Sequence, residues 1–273
     1  MKRSPMRRSQ RHRIMVRRIL LIPVLLLAFA SSTIAQDGSG VSSKPADVPF
    51  GVGERMTYKV RLGIVGAVGN GSMEVVGLDT VRGRQTYVIN FKLKGGVAFA
   101  KVDDDFRSWV DTHSLFSHRF KQDQKEVRYE RHRTLDFFPA ERAWRSIDGK
   151  DSGVLATTEP LDDVSFIYYI RTIPLEVGKT YTLNRYFKDE GNPVTVRVLR
   201  KQRVDVGAAG VFNTIVVQPI IKTKGLFSEG GQAELYFTDD NKRILVMMKS
   251  KIKILKSLDL LLQTYEPGEK LGR

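Results

Sequence analysis

From residue 56 onward the chain alternates between apolar and polar positions. Met56, Tyr58, Val60, Leu62 and Ile64 interleave with Thr57, Lys59, Arg61 and Gly63, and Tyr87, Ile89, Phe91 and Leu93 interleave with Asn90, Lys92 and Lys94. Successive side chains of a strand point to opposite faces, so each run buries one set and leaves the other wet. Residues 106–111, 115–122, 126–137, 142–147, 181–187, 194–206, 211–221, 233–238 and 244–255 read as further strands. In the last of these, Lys249, Lys251 and Lys253 stand on one side and Ser250, Ile252 and Ile254 on the other. Turn chemistry falls between the runs: Asp148-Gly149 is a hairpin signal. Asp239-Asp240-Asn241, Gly191-Asn192-Pro193 and the glycines at 207 and 210 punctuate the second half. Strands this numerous, joined by short turns, predict an antiparallel meander.

One segment breaks the pattern. Glu159-Pro160-Leu161-Asp162-Asp163 opens with proline and acids, which suit the first turn of a helix. Leu161, Val164 and Tyr168 then share one helical stripe, with Ile167 and Ile170 beside it. The spacing predicts one helix over residues 161–172, capped by Asp162-Asp163 and stopped before Pro174. The alternative is a buried strand over 164–171, since that run is rich in β-branched and aromatic residues. The resulting fold class is mainly β: a strongly curved antiparallel sheet, an open or nearly closed β-barrel, with one packed helix near its mouth or concave face.

The first 35 residues differ from the rest. Lys2, Arg3, Arg7, Arg8, Arg11, Arg13, Arg17 and Arg18 precede the apolar run 19–30, and small residues follow, with cleavage points after Ala30 or Ala35. These are the three parts of a secretory signal. The run has 12 residues and is interrupted by Pro23, whereas a spanning helix needs about 20. The expected organisation is a cleaved signal over 1–35, a flexible lead-in over 36–48, a single β-rich domain over 49–266 and a tail over 267–273, with no transmembrane helix after cleavage. Removing the leader's eight basic residues takes the formal net charge from +15 to +7. That balance suits an anionic lipid surface better than nucleic acid. The chain has no cysteine, so neither a disulfide nor a lipidated N-terminal cysteine is available.

Three blocks resemble the DUF3108 family of exported bacterial envelope proteins. They are Pro49-Phe50-Gly51-Val52-Gly53-Glu54-Arg55-Met56-Thr57-Tyr58; Leu161-Asp162-Asp163-Val164-Ser165-Phe166-Ile167-Tyr168-Tyr169-Ile170-Arg171 with Pro174-Leu175-Glu176-Val177-Gly178; and Gly210-Val211-Phe212-Asn213-Thr214 with residues 225–227 and Phe237-Thr238-Asp239-Asp240. The match departs at Arg243-Ile244-Leu245, where a proline is expected. The resemblance implies export and a β-rich fold, and it brings no activity, cofactor or catalytic residue.

No motif in the chain points to catalysis. His113 and His118 are five apart in strand-like sequence and face opposite sides, so with His132 they read as surface or turn residues, not a metal set. Asp103-Asp104-Asp105, flanked by Lys101 and Arg107, reads as a solvated turn, not a calcium loop. Ser165 has no histidine near it, and no Gly-x-Ser-x-Gly elbow exists. The glycine-rich stretch 63–71 is not followed by a helix, so it suits a bend or bulge and not a phosphate cradle.

Two features remain. The lysine ladder Lys249, Lys251, Lys253 and Lys256, beside Lys222 and Lys224, suits acidic headgroups, or equally a lysine-guarded edge strand. The apolar set Trp109, Phe116, Trp144, Phe166, Tyr168, Tyr169 and Phe187 suits an acyl groove, or an ordinary core. The leading expectation is a non-enzymatic periplasmic binding or carrier protein, without cofactor, metal or catalytic residue, for a lipid or other amphipathic envelope component. Trp109, Phe166, Tyr168 and Tyr169 would meet the apolar part, with Arg171, Lys249, Lys251 and Lys253 at the headgroup. The alternatives are an envelope assembly factor acting through a protein partner and a hydrolase whose site forms only in three dimensions.

Overall fold

Two meanders run in opposite directions from a shared seam in the computed structural model, which describes residues 46–63, 65–97, 100–126, 129–221, 233–252 and 256–272, without the side chains of residues 100, 251, 252 and 256. The expected leader, most of the lead-in, and Ile64, Lys222, Lys224, residues 225–227 and 253–255 lie outside the described residues. The first meander comprises β1 (Arg55–Leu62), β2 (Gly66–Val81), β3 (Arg84–Val97), β4 (Ala100–Asp111), β5 (Ser117–Glu126), β6 (Tyr129–Phe138), β7 (Ala143–Ser146) and β8 (Ser152–Val154). After helix α1 (Asp163–Ile170) come β9 (Thr180–Leu183), β10 (Val194–Asp205), β11 (Val211–Ile220), β12 (Ala233–Thr238), β13 (Leu245–Ile252) and β14 (Lys256–Glu266). β1 pairs with β14, and the 14-stranded sheet then runs outward to β8 on one side and β9 on the other. Every strand pairing is antiparallel. The sheet is therefore open, with β8 and β9 as its edges. Register shifts at Val60/Arg61, Val75/Gly77, Trp109/Val110, Val198/Arg200 and Tyr236/Phe237 supply the extra residues by which bulges bend strands.

The alternation read from the sequence sets the core. Met56, Tyr58, Val60 and Leu62 are buried, as are Tyr87, Ile89, Phe91 and Leu93, with Phe106, Phe120, Leu135 and Phe137 on the following strands. The predicted turns hold: Asp148-Gly149 joins β7 to β8, Asp239-Asp240-Asn241 joins β12 to β13, and a single 3-10 turn at Gly207–Ala209 joins β10 to β11.

Four boundaries differ from expectation. The glycine-rich stretch, expected as a bend or bulge between strands, is the first part of β2, a 16-residue strand, and holds a bulge: Val60 pairs with Gly69 and Arg61 with Ala67, which leaves Val68 as the extra residue. Gly69 pairs with Gly95, and a Cβ on either would overlap the backbone of the other's strand, so these glycines permit close approach of the two chains. β5 starts at Ser117 because Leu115 takes a left-handed φ of 56°. The run 181–187 leaves the sheet after Leu183, and Tyr186 instead bridges in parallel to Leu161. The run expected at 244–255 ends in β13 at Ile252, and a further strand, β14, follows.

Gly69→Ala is expected to lower stability by about 1–3 kcal/mol through this overlap. Gly77→Ala, where a Cβ meets nothing within 4 Å, is expected to be near neutral. Denaturant midpoints of the two variants check the difference.

Candidate functional site

Helix α1 is held at both ends by side chains from the sheet. At its start the Asp162 carboxylate accepts the N–H groups of Val164 (2.9 Å) and Ser165 (3.0 Å), while Ser165 Oγ accepts the Asp162 N–H at 2.8 Å, a reciprocal capping box. The helix is two residues shorter at each end than the 161–172 predicted, since Asp162 is the cap and the last turn tightens onto Tyr168 and Tyr169 carbonyls. Ser108 of β4 donates to Asp162 at 2.6 Å, and Ser117 of β5 donates to Ser165 at 2.8 Å. Burial, only partly offset by these hydrogen bonds, raises the Asp162 pKa to about 6.

At its other end three distant stretches close on one guanidinium. Arg171 donates to both Glu54 oxygens at 2.6 and 2.9 Å, to the Lys242 carbonyl at 3.0 Å and to the Pro49 carbonyl at 3.4 Å. The side chains of this pair are 0% and 1% exposed. Its planar face lies 5.1 Å from the Tyr168 ring and 5.5 Å from Phe50, and the Phe50 ring meets Tyr168 edge-on at 4.9 Å. Burial works against the charge on Arg171, but Glu54 outweighs it and holds the guanidinium above its usual range. Lys242 is presented by a turn that Asp240 organises, accepting from Thr238 Oγ1 at 2.7 Å and from the Lys242 N–H at 2.9 Å. Glu54, Arg171 and Asp240 each come from a different one of the three blocks noted in the sequence.

The concave face changes character across the sheet. Paired residues on adjacent antiparallel strands share a face. One such row runs Met56, Met73, Phe91, Phe106, Gln122, Arg133, and the next runs Tyr58, Gly71, Leu93, Asp104, Gln124, Arg131. Each begins apolar at the seam and ends polar and cationic on β6. Arg133 Nε donates to Gln122 at 2.6 Å, and Asp104 accepts the Lys125 N–H at 3.1 Å. Asp104 was expected in a solvated turn; instead it is buried in β4, and burial together with nearby Glu126 pushes its pKa up to about 6. His118, expected at the surface, is also buried. It meets Asp111 at 3.0 Å, and Arg84 donates to the same carboxylate at 3.0 Å. Burial raises the Asp111 pKa, but the hydrogen bonds from His118, the Ser114 N–H, Arg84 and the His113 N–H outweigh it and hold the carboxyl far below the carboxylate range. His132 is exposed between Asp123 and Glu130. Among the described residues no cluster of three His, Asp or Glu side chains is arranged to hold a metal.

The structure separates the residues expected to form one site. Phe166, Tyr168 and Arg171 are buried on or beside α1, and Tyr169 is partly buried with Arg185 stacked 4.3 Å over its ring. Trp109 pairs with Arg119, whose guanidinium lies 5.7 Å from its ring, and donates from Nε1 to Asp79 at 2.9 Å. It belongs to the face opposite buried Ser108. Lys249 is exposed on β13, paired with Glu234 and Asp259 on its two neighbours. The side chain of Lys251 and all of Lys253 lie outside the described residues. Arg171 is thus not at a headgroup: its terminal nitrogens are occupied by Glu54 and two carbonyls. Two open grooves lie elsewhere. One of about 560 Å³ is lined by Lys59, Arg61, Asp205, Leu261 and Gln263, and one of about 200 Å³ by Arg82, Arg84, His118 and Phe137.

A family model described as "Protein of unknown function (DUF3108)" matches residues 56–262. No curated protein matches the chain. A crystal structure of a beta-barrel-like protein of the domain of unknown function DUF1849, from Brucella abortus, superposes with a TM-score of 0.51 at 14% identity, covering 81% of this chain and 100% of that one. This likeness shows a shared fold. A candidate lipoprotein from Parabacteroides distasonis gives 0.35 at 10% identity over 82% of this chain and 100% of its own. No helix of the described residues is long and apolar enough to cross a membrane.

Removing one partner of a buried ion pair leaves the other charge uncompensated. Arg171→Met is expected to cost about 3–5 kcal/mol, and adding Glu54→Leu to recover part of that loss; a denaturation double-mutant cycle measures both. Asp104 supplies a pH test. Its folded pKa lies above its unfolded value, so the folded state binds the extra proton and stability falls as pH rises from about 4 through 6. Asp104→Asn is therefore expected to raise Tm at pH 8, with the gain vanishing towards pH 4, as read from melting curves across that range.

Proposed function

The chain belongs to the DUF3108 family, and for this member we propose a non-enzymatic binding or carrier role in the periplasm, for a lipid or another amphipathic component of the envelope. The observation that carries this reading is the concave face itself, where hydrogen-bonded rows pass from Met56, Met73, Phe91 and Phe106 to Gln122 and Arg133. The row is buried from Met56 to Gln122 and reaches water at Arg133, so an apolar interior ends in a cationic mouth, an order that suits a ligand with an apolar chain and a charged head. The ligand seat in this reading is the outer end of that face at Arg131 and Arg133, because Met56, Met73, Phe91 and Phe106 along the row are buried, as are Tyr87, Phe120, Phe137 and Phe187 around α1. The +7 charge remaining without the basic leader supports work at an anionic surface. Export rests on the leader pattern at 1–35.

A second reading, an assembly factor acting through protein contact, is favoured by the open sheet. β8 ends the first meander as a three-residue edge strand whose Val154 is 74% exposed, and an unpaired edge is a template for an added strand. Native mass spectrometry with lipid extraction, on protein purified from a bacterial periplasm, separates the two. A stoichiometric lipid adduct is expected. A clean apo mass with no uptake of added lipid would overturn the carrier role and leave the edge-strand reading.

A further inference from the structure

We propose that Arg131, Arg133 and Lys188 form an anion-recognition site on the concave face, one that takes the phosphate or carboxylate headgroup of an amphiphile. The inference rests on the carrier reading and assigns the chemistry of its ligand.

The strand period puts Arg131 and Arg133 on the same face of β6 as buried Leu135 and Phe137. Lys188 reaches that face by a different route. Phe187 stacks on Phe137 at 5.2 Å and meets Phe120 edge-on at 6.2 Å, which carries the next residue across β5 and β6. The Lys188 ammonium then stands 5.3 Å over the Phe187 ring. Three cations from two separate segments are thereby gathered over one apolar floor.

Their charge is poorly matched by the protein. Arg133 is 17% exposed, and its closest carboxylate is Asp151 at 3.9 Å, itself 59% exposed. Its Nε is used by Gln122, but its Nη2 is buried without a hydrogen-bond partner. Asp163 lies among the three cations, yet it accepts from Tyr186 Oη at 2.8 Å and makes no ion pair within 4.0 Å with any of them. Burial also raises its pKa, which weakens it as a counter-charge. The cations in turn disfavour one another. Burial first, then Arg131, lowers the Arg133 pKa; burial first, then Arg133, lowers that of Lys188. An unpartnered guanidinium nitrogen in such a place is costly. A bound oxyanion at the exposed part of the cluster would offset the three poorly matched charges, and the planar fork of arginine is well suited to that geometry. The rows through Phe106 and Leu93 end at the cluster but are themselves buried, so the site takes the headgroup at their outer end.

Isothermal titration of the folded full-length protein tests this with three probes: octyl phosphate, octyl glucoside and inorganic phosphate, each below any micelle concentration. Wild type is expected to prefer octyl phosphate over octyl glucoside by about tenfold or more. Arg133→Gln and Lys188→Gln should each abolish most of that preference while glucoside binding stays unchanged. Lys188 is partly exposed, so its variant keeps the test valid if Arg133→Gln fails to fold. Equal affinity for the two amphiphiles, or a preference that survives both substitutions, overturns the anion site and leaves the carrier reading intact. Inorganic phosphate binding as tightly as octyl phosphate would assign the cluster to a free anion and overturn the headgroup assignment. Binding of none of the probes overturns the site and the carrier reading together.

Discussion

The buried pair between Glu54 and Arg171 is the constraint on which the arrangement of this sheet depends. Its partners are 117 residues apart, one in the segment entering β1 and the other at the end of α1. The guanidinium also draws in the carbonyl of Lys242, between β12 and β13. Among the described residues the two oppositely running meanders join in the sheet through the β1–β14 ladder. An arginine fully enclosed by these partners adds a further point of contact, through the helix. A charge enclosed so completely is tolerable only when geometry is good and the remaining donors are used. Four hydrogen bonds and two aromatic faces meet that condition, although Nε stays without a partner.

The other end of the helix obeys the same logic with softer chemistry. Asp162, Ser165, Ser108 and Ser117 form a closed hydrogen-bond network that fixes the start of α1 to β4 and β5. The helix therefore acts as a strap across the concave side, tied to one meander by hydroxyls, to the seam by the ion pair with Glu54, and to the other meander by the hydrogen bond to the Lys242 carbonyl. Its eight residues bury almost their whole circumference, which is why Ile167 and Ile170 are apolar beside the stripe as well as Val164 and Tyr168 on it. A helix that is apolar all round is a core element, not a surface one.

Much of the architecture was legible because alternation is a direct image of the pleat. The strands through Met56, Tyr87 and Phe106, the Asp148-Gly149 turn and the capping aspartate followed from local rules. β2 did not, because Gly66, Gly69, Gly71 and Gly77 erase the apolar period over much of its length. The role of Gly69 and Gly71 is close approach to β3, a property of the neighbour and not of the strand itself. Asp104 and His118 were misplaced for a related reason. His118 sits at an inward position of a run that the period identifies, while Asp104 lies just before the run 106–111 in a longer strand, and a charged or titratable residue at either place looks like evidence against burial. The three motif blocks were visible in the chain, yet nothing local says that Glu54, Arg171 and the Asp240 turn meet. The cationic cluster was missed altogether: Arg131 and Arg133 lay in a strand read only for its hydrophobic residues, and Lys188 comes from a segment that leaves the sheet.

These placements alter what a binding reading requires of the molecule. The aromatic residues first suited to a groove fill the space beneath α1, and Arg171, first suited to a headgroup, is occupied by Glu54. Tying the helix down leaves α1 and its aromatic contacts as structure, so the part of the concave face free to serve a ligand is the part they do not cover. The paired rows are buried through Phe91, Phe106 and Gln122, and through Leu93 and Asp104, so what they leave open is their outer end at Gln124, Arg131 and Arg133. Burial holds along the first row as far as Gln122 and gives way at Arg133, so it is at this cationic end, and not along the apolar rows, that the proposed ligand would meet the protein.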